Sequence, residues 1–354
     1  MKTTHGRTAA RLLRALHATN GEVQTAVSYA SAQNWTDLPQ IVNHLKGMAI
    51  GGLTAEEMAR SPIGLDFSAC VRPQTVLGRL LGIRKVPMSV RVLTGVGGTG
   101  AAFVAQGGPI SVSKMDIEGE ILYPLKVGSL ALVTTELLDN SSPGAEDLLI
   151  ADLSAACAQA VDEALLDPGN SGIDGEKPAA ITSGVTPLSS SGSTFPDIDA
   201  DLQAMVHQLL AAGSTLVSAV WIVRPQTAIF LSSLRAGDGS TLVYPGLTIS
   251  GGFLKGLPVV VGSNLSQPGS PTNNYVVLVD VGQIILADDG AAELRISRQG
   301  AIQMLDNPTN DSTTPTATTM VSMWQTSCAA VRAVLWINWS LRRKYVSVLS
   351  GVGY

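Results

Sequence analysis

Charge is what this chain of 354 residues has least of. Asp, Glu, Lys and Arg make up 14% of it, against roughly 25% in an ordinary soluble protein. No membrane span accounts for the deficit. No apolar run approaches the ~20 residues that cross a bilayer, and the longest candidate, Ala329 to Trp339, is short and interrupted by Arg332. The N-terminus lacks the apolar core of a secretory signal, which predicts a cytoplasmic start. A chain so poor in charge either covers its surface with other subunits or folds around a large core of its own; composition leaves both open. Three widely spaced cysteines, Cys70, Cys157 and Cys328, exclude a disulfide framework and a zinc motif and predict buried free thiols. The histidines, His5, His17, His44 and His207, have no second ligand at i+3 or i+4, so no helical metal pair is encoded. His207, inside "LQAMVHQLL", reads as a hydrogen-bonded helix residue. There is no Walker loop and no G-x-S-x-G elbow, and the acid pairs Asp288-Asp289 and Glu56-Glu57 read as turn and helix-surface charges.

What charge there is sits unevenly. The net value is −5, too mild to suggest a nucleic-acid-binding domain, yet Lys2, Arg7, Arg11 and Arg14 all precede the first acid, Glu22. At about 100° per residue, Arg7, Arg11 and Arg14 share one helical face, with Ala9, Leu12, Leu13 and Leu16 opposite. Such a helix fits a membrane surface, an arm docked on a neighbouring subunit, or an ordinary helix with a solvated basic face. From Ser28 to Pro73 the signals are mixed, with Pro39, Gly47, Gly51-Gly52, Pro62 and Gly64 breaking any long element. An extended region follows, from "VPMSVRVL" to "GEILYPLKVGSLALVTTELL". The clearest element is a helix over Pro143 to Leu166, about 36 Å long at about 1.5 Å per residue. Ser142 and Pro143 start it, Glu146 and Asp147 occupy its first turn, and "DPGNSG" stops it. Leu149, Leu153, Cys157, Ala160, Val161, Ala164 and Leu165 form its broad apolar face, with Asp152, Asp162 and Glu163 away from the centre. Beyond Pro196 helices and strands alternate. "DIDADLQAMVHQLLAAG" and "PQTAIFLSSLR" read as helices; "LVSAVWIVRP", "GLPVVVGS", "NYVVLVDVGQIILAD" and "AELRIS" read as strands. Asp306 to Thr319 is a polar loop, and "MVSMWQTSCAAVRAVLWINW" is a long β-like run.

Gly95, Gly97 and Gly100 keep the G-x-G-x-x-G spacing of a dinucleotide-binding loop. That spacing has chemistry only when the last glycine opens a helix facing a pyrophosphate, inside a βαβ unit. Here "AAFVAQ" gives at most two turns before Gly107, Gly108 and Pro109, leaving a crossover too short for parallel strands. A nucleotide-dependent oxidoreductase is therefore a remote alternative.

The order of elements carries more. The hairpin region "FVAQGGPISVSKMDIEGEILYPLKVGSLALVTTELLDNS" runs directly into "GAEDLLIADLSAACAQAVDEALLDPG". Downstream come "VWIVRPQTAIFLSSLRAGDGSTLVYP", "FLKGLPVVVGSNL", "YVVLVDVGQIILAD" and "ELRIS". From about Arg72 to Tyr354 this order resembles the major capsid proteins of tailed phages with the Hong Kong 97-type fold. The stretch Gln106 to Ser113 matches the family's extended loop, and Thr134 to Leu138 matches the S/T-x-E-L-L strand before its spine helix.

The resemblance implies an α+β fold with an N-terminal arm carrying the amphipathic helix (1–83) and an extended β-hairpin loop (84–135). It further implies a peripheral domain (136–182 and 291–334) with spine helix 143–166, and an axial domain (183–290 and 335–354). The function implied is self-assembly as hexamers and pentamers into an icosahedral shell around double-stranded DNA, with no catalytic residue, cofactor or metal. An encapsulin-like nanocompartment shell is the alternative. Extended-loop contacts to a neighbour fall to Gln106, Gly107, Pro109, Lys114, Glu118 and Glu120. Contacts at the symmetry axis fall to Arg235, Asp238 and Tyr244, and a DNA-facing role to Arg7, Arg11 and Arg14. Partners are further copies of the chain, non-specific packaged DNA, and portal, scaffolding or decoration proteins, with no membrane; the location is the virion, assembled in the host bacterial cytoplasm. The type member cross-links its shell through a lysine, an asparagine and a buried glutamate. Lys114 lies in the corresponding loop, but Thr326 to Val334 offers no acid, so no isopeptide cross-link is expected and boiled particles should run as monomer. The short segment before the match implies an N-terminal arm that is not cleaved.

Overall fold

The computed structural model describes residues 7–19, 22–33, 35, 38–50, 62–95, 103–104, 106, 112, 117–136, 143–235, 241–263, 265–267, 270–290, 292–305 and 320–354. The chain begins with helices α1 (Arg7–Ala18), α2 (Val23–Ala32), α3 (Leu38–Ile50), α4 (Pro62–Val71) and the short α5 (Val76–Arg79). Strands β1 (Arg84–Val86), β2 (Arg91–Gly95), β3 (Ile117–Ile121) and β4 (Leu125–Thr134) lead to the long helix α6 (Pro143–Leu166). Then come β5 (Leu188–Ser189), α7 (Phe195–Ala211), β6 (Ala219–Val223), α8 (Pro225–Ser233), β7 (Leu247–Thr248), β8 (Gly251–Leu254) and β9 (Leu257–Val261). The rest is β: β10 (Ser266–Gln267), β11 (Ser270–Asp280), β12 (Ile284–Ala287), β13 (Ala292–Ser297), β14 (Ala301–Gln303), β15 (Met320–Ser322), β16 (Cys328–Leu341) and β17 (Val346–Val352).

Helix α6 has the bounds expected of it, but two details of its faces differ. Ala160 is exposed, and Asp162 is buried. Asp162 Oδ1 accepts the backbone N–H of Val76 at 2.7 Å, satisfying an amide at the start of α5 that has no partner within its own helix. Residues 28–73, expected to be irregular, hold α3, α4 and most of α2. The prolines there start helices instead of breaking them. Pro39 is the second residue of α3 and Pro62 the first of α4, positions where a missing N–H costs nothing. The strand expected over Thr134 to Leu138 ends at Thr134; Thr135 and Glu136 turn helical, and Leu137 and Leu138 lie outside the described residues.

The chain divides into two compact units. The first comprises Met1–Arg79, Lys126–Asp162 and Gly290–Trp336. Its sheet combines β4, β13 and the first part of β16, with β13 antiparallel to β16 from Ala292↔Leu335 to Ser297↔Ala330. The inner face presents Ala292, Leu294, Val331, Ala333 and Leu335 to a core completed by α1–α4 and α6. Leu12 and Leu13 of α1 are 1% and 2% exposed in that core. The apolar face of α1 is thus filled by the chain itself, and neither a membrane surface nor a neighbour is needed to cover it. Full burial of each leucine contributes about 1.5–3 kcal/mol.

The second unit comprises Leu80–Leu125, Glu163–Asp289 and Ile337–Tyr354. Its main sheet has the order β5-β17-β11-β6-β9-β8-β7, with β10 added on β11. Every residue of β6 is buried, as a central strand with both faces covered requires. Trp221 is fully buried, and its indole N–H donates to the Leu254 carbonyl at 3.1 Å. Ile198, Leu202, Met205 and Leu209 of α7 and Ala228 and Leu231 of α8 complete this core. The expected "NYVVLVDVGQIILAD" run becomes β11, a 3-10 turn at Val281–Gln283, and β12. Asp280 fixes the turn, accepting from the Ser214 hydroxyl at 2.7 Å and the Ser218 hydroxyl at 2.5 Å.

Candidate assembly surfaces

Strands β2 and β3 pair antiparallel from Arg91↔Ile121 to Gly95↔Ile117, forming a two-stranded ribbon. Its base is tied down within the second unit. Val92 and Leu122 pack with Ile285 and Ala287, and Ser89 N–H donates to the Leu122 carbonyl at 2.8 Å. The Ser340 hydroxyl donates to Glu120 Oε2 at 2.6 Å, and Asn338 Nδ2 donates to the Tyr123 carbonyl at 2.7 Å. Away from the base the ribbon has no core behind it. Leu93 and Ile117 are 60% and 55% exposed and share one face with Ile121 and Gly119. The Arg91 guanidinium lies across Gly119, in space that any Cβ would occupy. A ribbon of two strands is marginal in water, so uncovered aliphatic side chains on it mark a surface that a partner completes. The alternations "RVLTG" and "IEGEI" were the sequence signal for these three residues.

Of the residues expected in this loop, Gln106 is exposed in a turn. Glu120 is committed to Ser340, and Glu118 stands opposite Thr94. Gly107, Pro109 and Lys114 lie outside the described residues. So do Gly97 and Gly100 of the dinucleotide-like spacing, but Gly95 decides that question. It ends a strand whose partner is antiparallel, whereas a nucleotide-binding βαβ unit requires a parallel one.

The expected axial contacts separate. Arg235 is exposed and forms a β-bridge with Leu242; Asp238 lies outside the described residues. Tyr244 turns inward instead of toward an axis. It is buried in the core of the second unit and donates its hydroxyl to Asp199 Oδ1 at 3.1 Å, because a phenol with a buried ring needs a partner for its O–H. Lys255, in the tight turn between β8 and β9, sits 2.6 Å from the same oxygen. The hydrogen bond from Lys255 holds the Asp199 carboxyl below its ordinary value, against the opposing effect of burial and with help from Tyr244.

On α1, Arg7 is the first residue, Arg11 lies 5.6 Å from the centroid of the Trp35 ring, and Arg14 is half-buried. Arg11 is therefore engaged in a cation–π contact and only partly available to a phosphate. Reactive chemistry is not assembled anywhere among the described residues. They hold no cluster of three metal-ligating side chains and no helix long and apolar enough to cross a membrane. Cys157 is buried, whereas Cys70 and Cys328 are only half-buried. Burial, reinforced by Asp66, pushes the Cys70 thiol up to about 11, and burial also raises that of Cys157. Both stay protonated at neutral pH and are poor nucleophiles. His207 is exposed on α7.

Comparison with known proteins settles the family. The model of the phage capsid family matches residues 73–323. The chain belongs to the phage capsid family. The capsid polyprotein of Pseudomonas phage PAJU2 is 35% identical over 295 residues, which cover 82% of this chain and 44% of that relative. The chain thus spans less than half the length of the curated relative it matches. Among solved structures, a chain from Mycobacterium phage Bobi superposes with a TM-score of 0.56 at 13% identity, covering 78% of this chain and 89% of its own. One from Gordonia phage Cozz gives 0.55 at 14% identity, covering 78% and 85%. At such identities the likeness speaks for the fold, and the α+β capsid fold is the one expected from the order of elements. As a phage capsid family member the chain supports neither the oxidoreductase nor the encapsulin-like alternative.

Proposed function

We propose that this chain is the major capsid protein of a tailed phage. It associates with copies of itself as hexamers and pentamers and closes an icosahedral shell around double-stranded DNA. The observation that carries this reading is the β2–β3 ribbon, whose aliphatic face finds no cover within the chain. A neighbouring copy supplies that cover, which also makes sense of the low charge. No reaction is assigned to any residue. Arg235 and the segment around it approach the symmetry axis, while Tyr244 holds that segment to α7. Arg7 and Arg14, with Arg11 partly engaged by Trp35, face the packaged DNA. Portal, scaffolding or decoration proteins join the shell, which assembles in the host bacterial cytoplasm.

Sedimentation of the expressed protein tests the reading. Wild type is expected in fast-sedimenting particles, and a Leu93→Asp, Ile117→Asp variant in slow, folded subunits. Wild type that remains a monomer at every concentration would contradict it.

A further inference from the structure

The sheet of the first unit has a second face, and it is uncovered. Alternation along β4 sends Val127 and Ala131 into the core and turns Lys126, Gly128, Leu130 and Leu132 the other way. A Cβ added at Gly128 would point at the Val334 side chain, 4.0 Å away, so this row continues onto β16. In the β13–β16 register Val334 stands opposite Glu293, and Arg332 opposite Arg295. The outer face therefore carries Leu130, Leu132 and Val334 beside Arg295, Arg332 and Lys126. Leu130 is 53% exposed. The face holds three cations and one carboxylate. Glu293 is 10% exposed and pairs with both arginines, at 3.2 Å from Arg332, while the two guanidinium side chains stay about half exposed (52% and 49%). A single buried carboxylate between two arginines leaves positive charge for an incoming anion.

The ribbon offers the complement. In the β2–β3 register, Val92, Thr94, Glu118 and Glu120 share the face opposite Leu93 and Ile117. At the base this face is turned to its own unit, through Val92 and Glu120. Farther out the same side carries Thr94 and Glu118, and Asp116 continues the two-residue alternation of acids in the sequence "DIEGE". We propose that this acidic side of the hairpin of one copy docks on the Arg295–Arg332 sheet face of the next, with Leu130, Leu132 and Val334 as the apolar floor. The occupant is a second copy of this chain, because its hairpin supplies acids at strand spacing and the receiving face mixes guanidinium with exposed aliphatic side chains. A nucleic-acid backbone would match the cations but not the leucines. The docking rests on the proposed self-assembly and names the surface that receives the hairpin.

Charge exchange in the full-length chain tests it. Glu118→Arg and Arg295→Glu are each expected to raise the concentration needed for assembly by about tenfold, the scale of an interfacial charge pair turned repulsive. The combined variant is expected to recover assembly. Since Arg295→Glu places a second acid beside Glu293, an independent pair is needed: Glu118→Cys with Leu130→Cys, oxidised after assembly, is expected to give covalent multimers on a denaturing gel. Three results overturn the docking while leaving the capsid reading intact, provided wild type still forms shells. They are single reversals that assemble like wild type, a double variant no better than the singles together with no cysteine multimers, and Arg295→Glu particles that lose only nucleic acid. Failure of wild type to assemble at all would instead remove the capsid reading itself.

Discussion

Truncating Leu13 separates a helix that belongs to its own fold from an arm that belongs to a neighbour. Leu13 is 2% exposed, and the cluster around it includes Leu12, Leu16, Ala26, Ile41, Leu45 and Phe67. All of these lie in the first unit of the same chain. Removing a fully buried leucine side chain costs its transfer free energy plus a cavity term, in all about 3 kcal/mol. For a unit of this size that lowers the melting midpoint by about 6–12 °C, at about 2–4 °C per kcal/mol. The assay is thermal or urea unfolding of Leu13→Ala, made on unassembled subunits at concentrations too low for particles. Leu148→Ala is the control. Leu148 is 67% exposed at the start of α6, and its truncation should change stability by no more than about 0.5 kcal/mol. If Leu13→Ala unfolds like wild type and instead raises the concentration needed for assembly, α1 is covered by another copy and the packing described for the first unit is wrong.

Three further outcomes follow from particular contacts. Asp162→Ala leaves the Val76 amide without its partner in a buried site, and should destabilise unassembled subunits by about 1–3 kcal/mol; Asp162→Asn, which keeps an oxygen there, should cost less, and equal costs would show that the hydrogen bond is immaterial. Burial, with Asp201 nearby, raises the Tyr354 hydroxyl from 10.0 to about 12. Its contribution is thus complete below pH 10 and lost as the pH rises through 12; urea titrations at alkaline pH should show Tyr354→Phe losing less stability over that window than wild type, and parallel losses would refute the assignment. Replacing Arg7, Arg11 and Arg14 with Gln should reduce DNA retention in particles, increasingly as salt is raised; retention unchanged at every salt concentration removes their DNA-facing role.

The parts of the fold legible in the sequence were those where local signals and burial agree. Helix α6 has a proline at its first position, acids in its first turn and a steady apolar face, and its bounds are those expected. The residues 38–71 were misread because Pro39 and Pro62 carry two opposite meanings, breaker or first-turn residue, and only packing against α1 and β13 decides between them. Asp162 was assigned to the solvent side of α6 because helical spacing says nothing of a backbone amide arriving from α5. Tyr244 was assigned to an axis for a similar reason, since its partner Asp199 comes from a separate helix. The acid sought between Thr326 and Val334 stands across the sheet instead. Glu293 faces Val334 from β13, a pairing that no spacing along the chain can express. The glycine spacing at Gly95 failed as a fingerprint for the converse reason, because its meaning lies in the neighbouring strand and that strand is antiparallel.

The most direct test of the central claim is electron microscopy of the purified protein. Closed icosahedral shells, or the hexameric and pentameric capsomers that build them, are the expected images. A field of uniform small particles the size of a monomer, at concentrations and salt where capsid proteins associate, would contradict the account.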